Sequence, residues 1–295
     1  MTNEYRRAIE RHRDRIPAGF DEWVRAQHIE SEVGPNVYTV ATWTRHCSPP
    51  EATSPQKALA CTDLAVCFFY LDDYQGEDYR TLFDEYESNL DRIGGASASR
   101  RPISEAHCTL LKQLHDLGHP MAWYIEQERK LLDEYRLRND VSRGIASIDY
   151  ERYRDSRLVT IYVYQWVELW QLLAGFPIAE SERATAAYQD SVRLTSTYFY
   201  LGNELYSLAR DLERGDPNLV PLLAREEGID LDEAAARIAV ERDEVAQQFE
   251  DAVGHLMAGS DTMRRCGVLL RQCVDSATAA RHDNPARYRQ PDERP

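Results

Sequence analysis

The sequence predicts an all-α fold: a single domain, residues 1–295, of roughly ten helices around a central apolar cavity. Three observations predict it. Strand signals are few, while apolar residues recur at helical spacing along most of the chain. The periodic stretches are long and are stopped by Gly94-Gly95, Gly175-Phe176-Pro177 and Gly215-Asp216-Pro217. The longest stretch carries apolar or aromatic side chains on most of its faces, so it needs a core all round it. With 43% hydrophobic residues in 295, the chain can supply such a core.

The elements follow in order. Residues 1–50 form an N-terminal segment. Ser54–Leu71 reads as a helix that starts after Pro49 and Pro50, with Leu59, Asp63, Val66 and Tyr70 roughly in line. Asp78–Ile93 is a second helix, ended by Gly94-Gly95. Gly94–Arg101 is a flexible loop with no chemistry attached. Ser104–Leu117 and Ala122–Arg138 follow. Asp149–Leu173 is expected as one long aromatic helix. Ser181–Glu213 is longer still, with Val192, Leu194, Tyr198, Phe199, Tyr200 and Leu201 spread round it. Leu231–Leu256 and Asp261–Ala280 close the helical part, and 281–295 is a polar, proline-containing tail that could close over a site.

Composition removes several classes of function. The net charge of −15 leaves no basic face for neutralising phosphates, which excludes a nucleic-acid partner. No run of about 18 apolar residues is present, so no membrane span is expected. Met1–Arg15 is charged and lacks the apolar core of a secretory signal, and a cytoplasmic location is expected. The six cysteines, Cys47, Cys61, Cys67, Cys108, Cys266 and Cys273, form no Cys-x-x-Cys pair and read as buried thiols.

The chemistry concentrates in two places. Asn203, Ser207 and Asp211 follow one another at four-residue steps. Four residues are about 400° of helix rotation, so an amide oxygen, a hydroxyl and a carboxylate stack along one face. That hard-oxygen set suits Mg²⁺ and is poor for zinc. Upstream, Asp72 and Asp73 come directly after an apolar helix pattern containing Phe68 and Phe69, and Glu77 is expected one turn on, on the same side. Crowded carboxylates repel unless a cation sits between them. Two such sites on separate helices suggest one polymetal cage.

The helix neighbours of Arg157, Leu158, Val159 and Ile161, are expected to be buried, and a buried Arg needs an anion. Arg210 adjoins Asp211, Arg214 is one turn later, and Arg287 with Tyr288 lies in the tail. Guanidinium groups suit phosphate through their planar fork. No Glu-x-x-His, His-Glu-x-x-His, Gly-x-Ser-x-Gly or phosphate-binding Gly-Lys-Thr signature occurs.

These residues together resemble those of a bacterial class I terpene synthase (terpene cyclase). The resemblance covers Ser54 to Tyr288. It rests on the aspartate-rich motif, the Asn/Ser/acid motif with its continuation Gly215-Asp216-Pro217-Asn218-Leu219-Val220, Arg157 located 46 residues before Asn203, Arg210, and the Arg287-Tyr288 pair. It implies a class I terpenoid-synthase-like helical bundle of bacterial secondary metabolism. It implies three Mg²⁺ ions held between Asp72 and the Asn203/Ser207/Asp211 set, with Asp73 and Glu77 as further candidate ligands. Arg157, as diphosphate sensor, would act with Arg210, Arg214, Arg287 and Tyr288 on an isoprenyl diphosphate. Phe68, Phe69, Tyr162, Trp166 and Phe199 are candidates for a cation-stabilising pocket. A homodimer is possible in such a family.

The chain departs from the pattern at several positions. Gly76 stands where the aspartate-rich motif has a third Asp, Asp211 where Glu is usual, and Glu204 where Asp is usual. Thr160 and Ile161 replace a usual Asp-Gly, and Arg281 replaces an aromatic residue. The compact chain and the Thr160-Ile161 departure lean the substrate towards geranylgeranyl diphosphate (C20), with farnesyl diphosphate (C15) next. Two alternatives stay open: a chain-elongating isoprenyl diphosphate synthase, which would carry two Asp-rich motifs, and a non-enzymatic helical scaffold.

Overall fold

The computed structural model describes residues 19–29, 55–74, 76–93, 95, 97, 99 and 101–282. Most of the expected N-terminal segment, Cys47, Gly94, and all but the first two residues of the tail, including Arg287 and Tyr288, lie outside these residues. Among the described residues there are twelve helices and no strand. They are α1 (Phe20–Ala26), α2 (Pro55–Asp73), α3 (Tyr79–Leu90), α4 (Pro102–Asp116), α5 (Met121–Ser142), α6 (Tyr150–Thr160), α7 (Val163–Ala174), α8 (Glu180–Arg183), α9 (Ala186–Arg214), α10 (Leu219–Glu227), α11 (Leu231–Met257) and α12 (Asp261–His282).

Two compact units emerge. The first holds the described residues up to Leu132 together with Leu169–Gly175, and the second holds Asp133–Glu168 and the described residues from Phe176 onward. In the first unit α2 packs on α1 and α4, and α3 packs on α4. Residues 60–68 of α2 are all buried, Asp63 included. A buried polar knot ties α3, α4 and α5. Asn89 Nδ2 donates to the Ser104 carbonyl at 2.9 Å, His107 Nε2 lies 2.6 Å from Glu128 Oε1, and the Tyr86 ring stacks on His107.

In the second unit α9 is the central rod, packed on α6, α8, α10, α11 and α12. It is buried nearly all round between Leu194 and Gly202, where only Tyr198 is partly exposed. Thr185 caps its start by accepting from Tyr188 N at 3.3 Å, and Gly215, at φ 72°, takes the left-handed turn that ends it.

The structure corrects several expected boundaries. The long helix expected over Asp149–Leu173 is two helices, because Tyr162 adopts φ 68° between α6 and α7. No Gly or Pro marks that break. The stretch Ser181–Glu213 also divides, with α8 ending at Arg183 and Thr185 starting α9 afresh. The helix α10 was not expected. Pro221 sits in the first turn, where a missing N–H costs nothing. Cys61, Cys67, Cys108, Cys266 and Cys273 are buried, and no disulfide joins them. Among the described residues no helix is long and apolar enough to cross a membrane.

Candidate functional site

The second unit brings five of the expected residues into one hydrogen-bonded array on α6 and α9. Ser207 is buried and donates from Oγ to Asp211 Oδ2 at 2.5 Å. Arg210 donates to the other carboxylate oxygen, Asp211 Oδ1, through Nε at 3.0 Å and Nη2 at 2.9 Å. One turn before Ser207, half-buried Asn203 turns its Oδ1 to Arg157, whose Nη2 donates at 2.9 Å.

Arg157 is 4% exposed. The apolar neighbours expected to be buried with it, Leu158, Val159 and Ile161, are only partly so. The inward face of α6 is instead Tyr153, Ser156, Arg157 and Thr160, which recur at three- and four-residue steps. The anion that its burial requires is the Glu204 carboxylate, which accepts from Arg157 Nε at 2.6 Å. Thr160 Oγ1 takes a third bond, from Nη1 at 2.9 Å. Thr160 thus contacts Arg157 directly.

Glu204 is also deeply buried, at 1% exposed. Burial pushes its carboxyl above the ordinary value, and the Arg157 charge and the backbone N–H of Leu219 work in the opposite direction. That N–H donates to Glu204 Oε2 at 2.8 Å from the first turn of α10. Asn218, with no exposed surface, caps α10 by accepting from Val220 N at 2.9 Å. Its Nδ2 donates to the Glu204 carbonyl at 2.9 Å and to Asp211 Oδ2 at 3.0 Å. Neither Glu204 nor Asn218 was expected to serve the site. Both fall within the second motif and its continuation, but their partners lie 47 and 7 residues away in sequence, so the motif did not give them a role.

The first unit carries the aspartate-rich motif. Asp72 and Asp73 lie in the last turn of α2 and not beyond it, both partly exposed. The helix stops at Asp73, so Glu77 is not one helical turn on. It sits exposed in the turn before α3, against the expectation of a shared helix face. Asp78 is engaged elsewhere. It accepts from Arg101 Nη2 at 2.6 Å and from the Tyr74 hydroxyl, and these bonds pull its carboxyl down to about 2. The Tyr74 ring also explains Gly76. A Cβ at residue 76 would collide with the Tyr74 hydroxyl, so an aspartate does not fit there while Tyr74 keeps its bonds.

The remaining candidates are placed as follows. Arg214 ends α9 exposed, where a cation complements the helix dipole. Phe68 is buried in the α2 core, and Phe69 is partly exposed. In the second unit Tyr162 and Trp166 are buried with ring centroids 6.3 Å apart, and buried Phe199 lies one turn before Asn203 on α9.

Among the described residues no three of His, Cys, Asp and Glu gather into a metal-holding group, Asp72, Asp73 and Glu77 included. The donors of α9 are of mixed kind: an amide oxygen, a hydroxyl and a carboxylate on one face. That set fits a hard divalent cation such as Mg²⁺ in its chemistry, with two of the three residues buried.

A family model described as "Terpene synthase family 2, C-terminal metal binding" matches residues 63–248, which span both units. The chain belongs to this family and is a terpene synthase. Solved structures agree on the fold. Linalool/nerolidol synthase from Streptomyces clavuligerus superposes with TM-score 0.76 at 21% identity, covering 95% of this chain and 96% of that one. A further match is 2-methylisoborneol synthase from Streptomyces coelicolor A3(2), in complex with Mg²⁺ and geranyl-S-thiolodiphosphate. It gives TM-score 0.77 at 17% identity, covering 94% of each chain. A structure titled "Hedycaryol apo" gives 0.72 at 17%, covering 95% and 94%. No curated protein matches the chain.

Proposed function

We propose that this chain is a magnesium-dependent class I terpene cyclase. It would ionise a linear isoprenyl diphosphate, cyclise the resulting cation to a terpene hydrocarbon or alcohol, and release pyrophosphate. The observation that carries this reading is the α9 array: Asn203, Ser207 and Asp211 on one face, with the Arg157 guanidinium resting on the Asn203 amide oxygen. The family's metal-binding description and the Mg²⁺ and substrate-like diphosphate in a structurally similar protein support it.

Asn203, Ser207 and Asp211 would hold the cation on α9, while Asp72 and Asp73 of α2 stay candidate metal ligands on the strength of the family resemblance alone. Bound there, the cation supplies Lewis-acid stabilisation of the charge that develops on the departing diphosphate. The residues of the chain do the rest. Arg157 and Arg210 donate hydrogen bonds to diphosphate oxygens, strongest as the C–O bond breaks and both its electrons leave with oxygen. Glu204 keeps the Arg157 guanidinium oriented, so that the Nη2 hydrogen now on Asn203 can turn to the diphosphate and release the amide oxygen. Phe199, Tyr162 and Trp166 offer aromatic faces to the allylic cation, worth about 2 kcal/mol each when desolvated. Exclusion of water keeps the cation from premature quenching.

The chain-length part of the proposal, C20 ahead of C15, rests on the compact chain and on Thr160 and Ile161. Incubation with C10, C15 and C20 diphosphates plus Mg²⁺, read by gas chromatography–mass spectrometry, tests both parts. Cyclic product from one of them, lost in Asn203→Ala and Asp72→Ala, is the expected result. Equal turnover in both variants overturns the assignment, and turnover confined to C10 or C15 overturns the chain length alone.

A further inference from the structure

We infer that Asn218 is a positioning residue for the cation-binding face of α9, through the side-chain amide with which it caps α10. The inference rests on the proposed function and adds a residue to it. The side chain spends both of its ends. Its oxygen caps α10 at Val220 N, and its nitrogen reaches the Glu204 carbonyl and Asp211 Oδ2. Glu204 and Asp211 are seven residues apart, two turns along one face of α9. The start of α10 therefore grips that face at both points. Glu204 returns the contact by accepting from Leu219 N at 2.8 Å.

The choice of residue type carries the argument. Ser, Thr and Asp all cap helices as well as Asn. None of them provides the N–H donors. An aspartate at 218 would cap α10 and set a second carboxylate about 3 Å from Asp211, where like charges repel. A serine would cap and be too short to reach both acceptors. Among these capping residues only Asn accepts at one end and offers N–H donors at the other. Asp211 Oδ2 is thereby fixed by two donors, Ser207 and Asn218, while Arg210 holds Oδ1. The carboxylate orientation offered to a cation is thus set from α10.

Asn218→Ser and Asn218→Asp retain the cap and lose the grip on Asp211. Each is measured for unfolding temperature alone, for thermal stabilisation by Mg²⁺ plus inorganic pyrophosphate, and for the Mg²⁺ concentration that gives half-maximal turnover. Loss of a hydrogen bond to a metal ligand weakens metal affinity about 10- to 100-fold. The expected result is a rise of that size in the Mg²⁺ requirement, a reduced pyrophosphate-dependent stabilisation, and turnover that recovers towards wild type at high Mg²⁺. Unchanged Mg²⁺ dependence in both variants overturns the inference while the wild type still turns over. So does activity lost by the same fraction at every Mg²⁺ concentration, in step with unfolding temperature. A wild type that neither turns over an isoprenyl diphosphate nor gains stability from Mg²⁺ and pyrophosphate overturns the proposed function and this inference together.

Discussion

Arg157 Nη2 and Asn203 Oδ1 are hydrogen-bonded at 2.9 Å, which couples the candidate diphosphate donor to the first candidate metal ligand of α9. Behind that contact the Arg157–Glu204 pair is buried on both sides. A buried pair of this kind costs desolvation on each partner, and its value lies in what happens when one partner is removed.

Arg157→Ala leaves the Glu204 carboxylate buried without its cation, a loss of about 3–5 kcal/mol. Adding Glu204→Gln to that variant removes the charge and restores most of the stability, because the amide still accepts from Leu219 N. Turnover is not restored, since the fork aimed at Asn203 is gone. Denaturant unfolding and product formation on the single and double variants check this. Equal destabilisation in both proteins would show that Glu204 is not the counterion that matters.

Gly76→Asp gives the aspartate-rich motif its usual third carboxylate, yet it lowers both unfolding temperature and activity. The new Cβ collides with Tyr74, which Asp78 and Arg101 hold by hydrogen bonds. Gly76→Asp combined with Tyr74→Ala relieves the collision and recovers the unfolding temperature lost on adding the aspartate. Calorimetry of the four proteins measures it, and additive losses would contradict the collision.

Asp63 gives a pH dependence of defined sign. It is 1% exposed on α2, its Oδ1 has no hydrogen-bond partner among the described residues, and burial raises its carboxyl well above the ordinary value. The native state therefore keeps the proton that the unfolded chain gives up near pH 4. Its contribution is fully present below that pH and is lost as pH rises towards the folded value. Asp63→Asn removes the titration. The variant should match the wild type near pH 4 and exceed it increasingly towards pH 8. Parallel stability curves would show an ionised, solvated Asp63.

How much of this was legible in the sequence depends on the range of each interaction. Asn203, Ser207 and Asp211 announce themselves because helix geometry converts a four-residue step into a shared face. Gly215 marks the end of α9 because only a left-handed turn closes it cheaply there. The break at Tyr162 had no such marker: a non-glycine residue in that conformation costs about 1–2 kcal/mol and is held by its surroundings, which sequence does not display. Glu77 was placed on a helix face that ends at Asp73. Glu204 and Asn218 have ordinary identities, and their roles exist only because α6, α9 and α10 meet.

The packing of α11 on α12 gives a last prediction, one with a change of sign. Gly267 on α12 faces α11 so closely that a Cβ there would lie 2.5 Å from Met257 Cγ and 3.4 Å from Val253 Cγ1. Alanine in mid-helix gains about 1 kcal/mol over glycine. Overpacking costs about 1–3 kcal/mol. Met257 is half-buried and its sulfur accepts from Arg271 Nη1 at 3.3 Å, which limits its room to yield, so the collision outweighs the propensity and Gly267→Ala destabilises. Met257→Ala removes the obstructing atoms. In that background the same Gly267→Ala change should stabilise by up to about 1 kcal/mol. A double-mutant cycle by denaturant unfolding reads the coupling directly. A Gly267→Ala effect of the same sign in both backgrounds would mean that the Met257 side chain does not crowd a Cβ at residue 267.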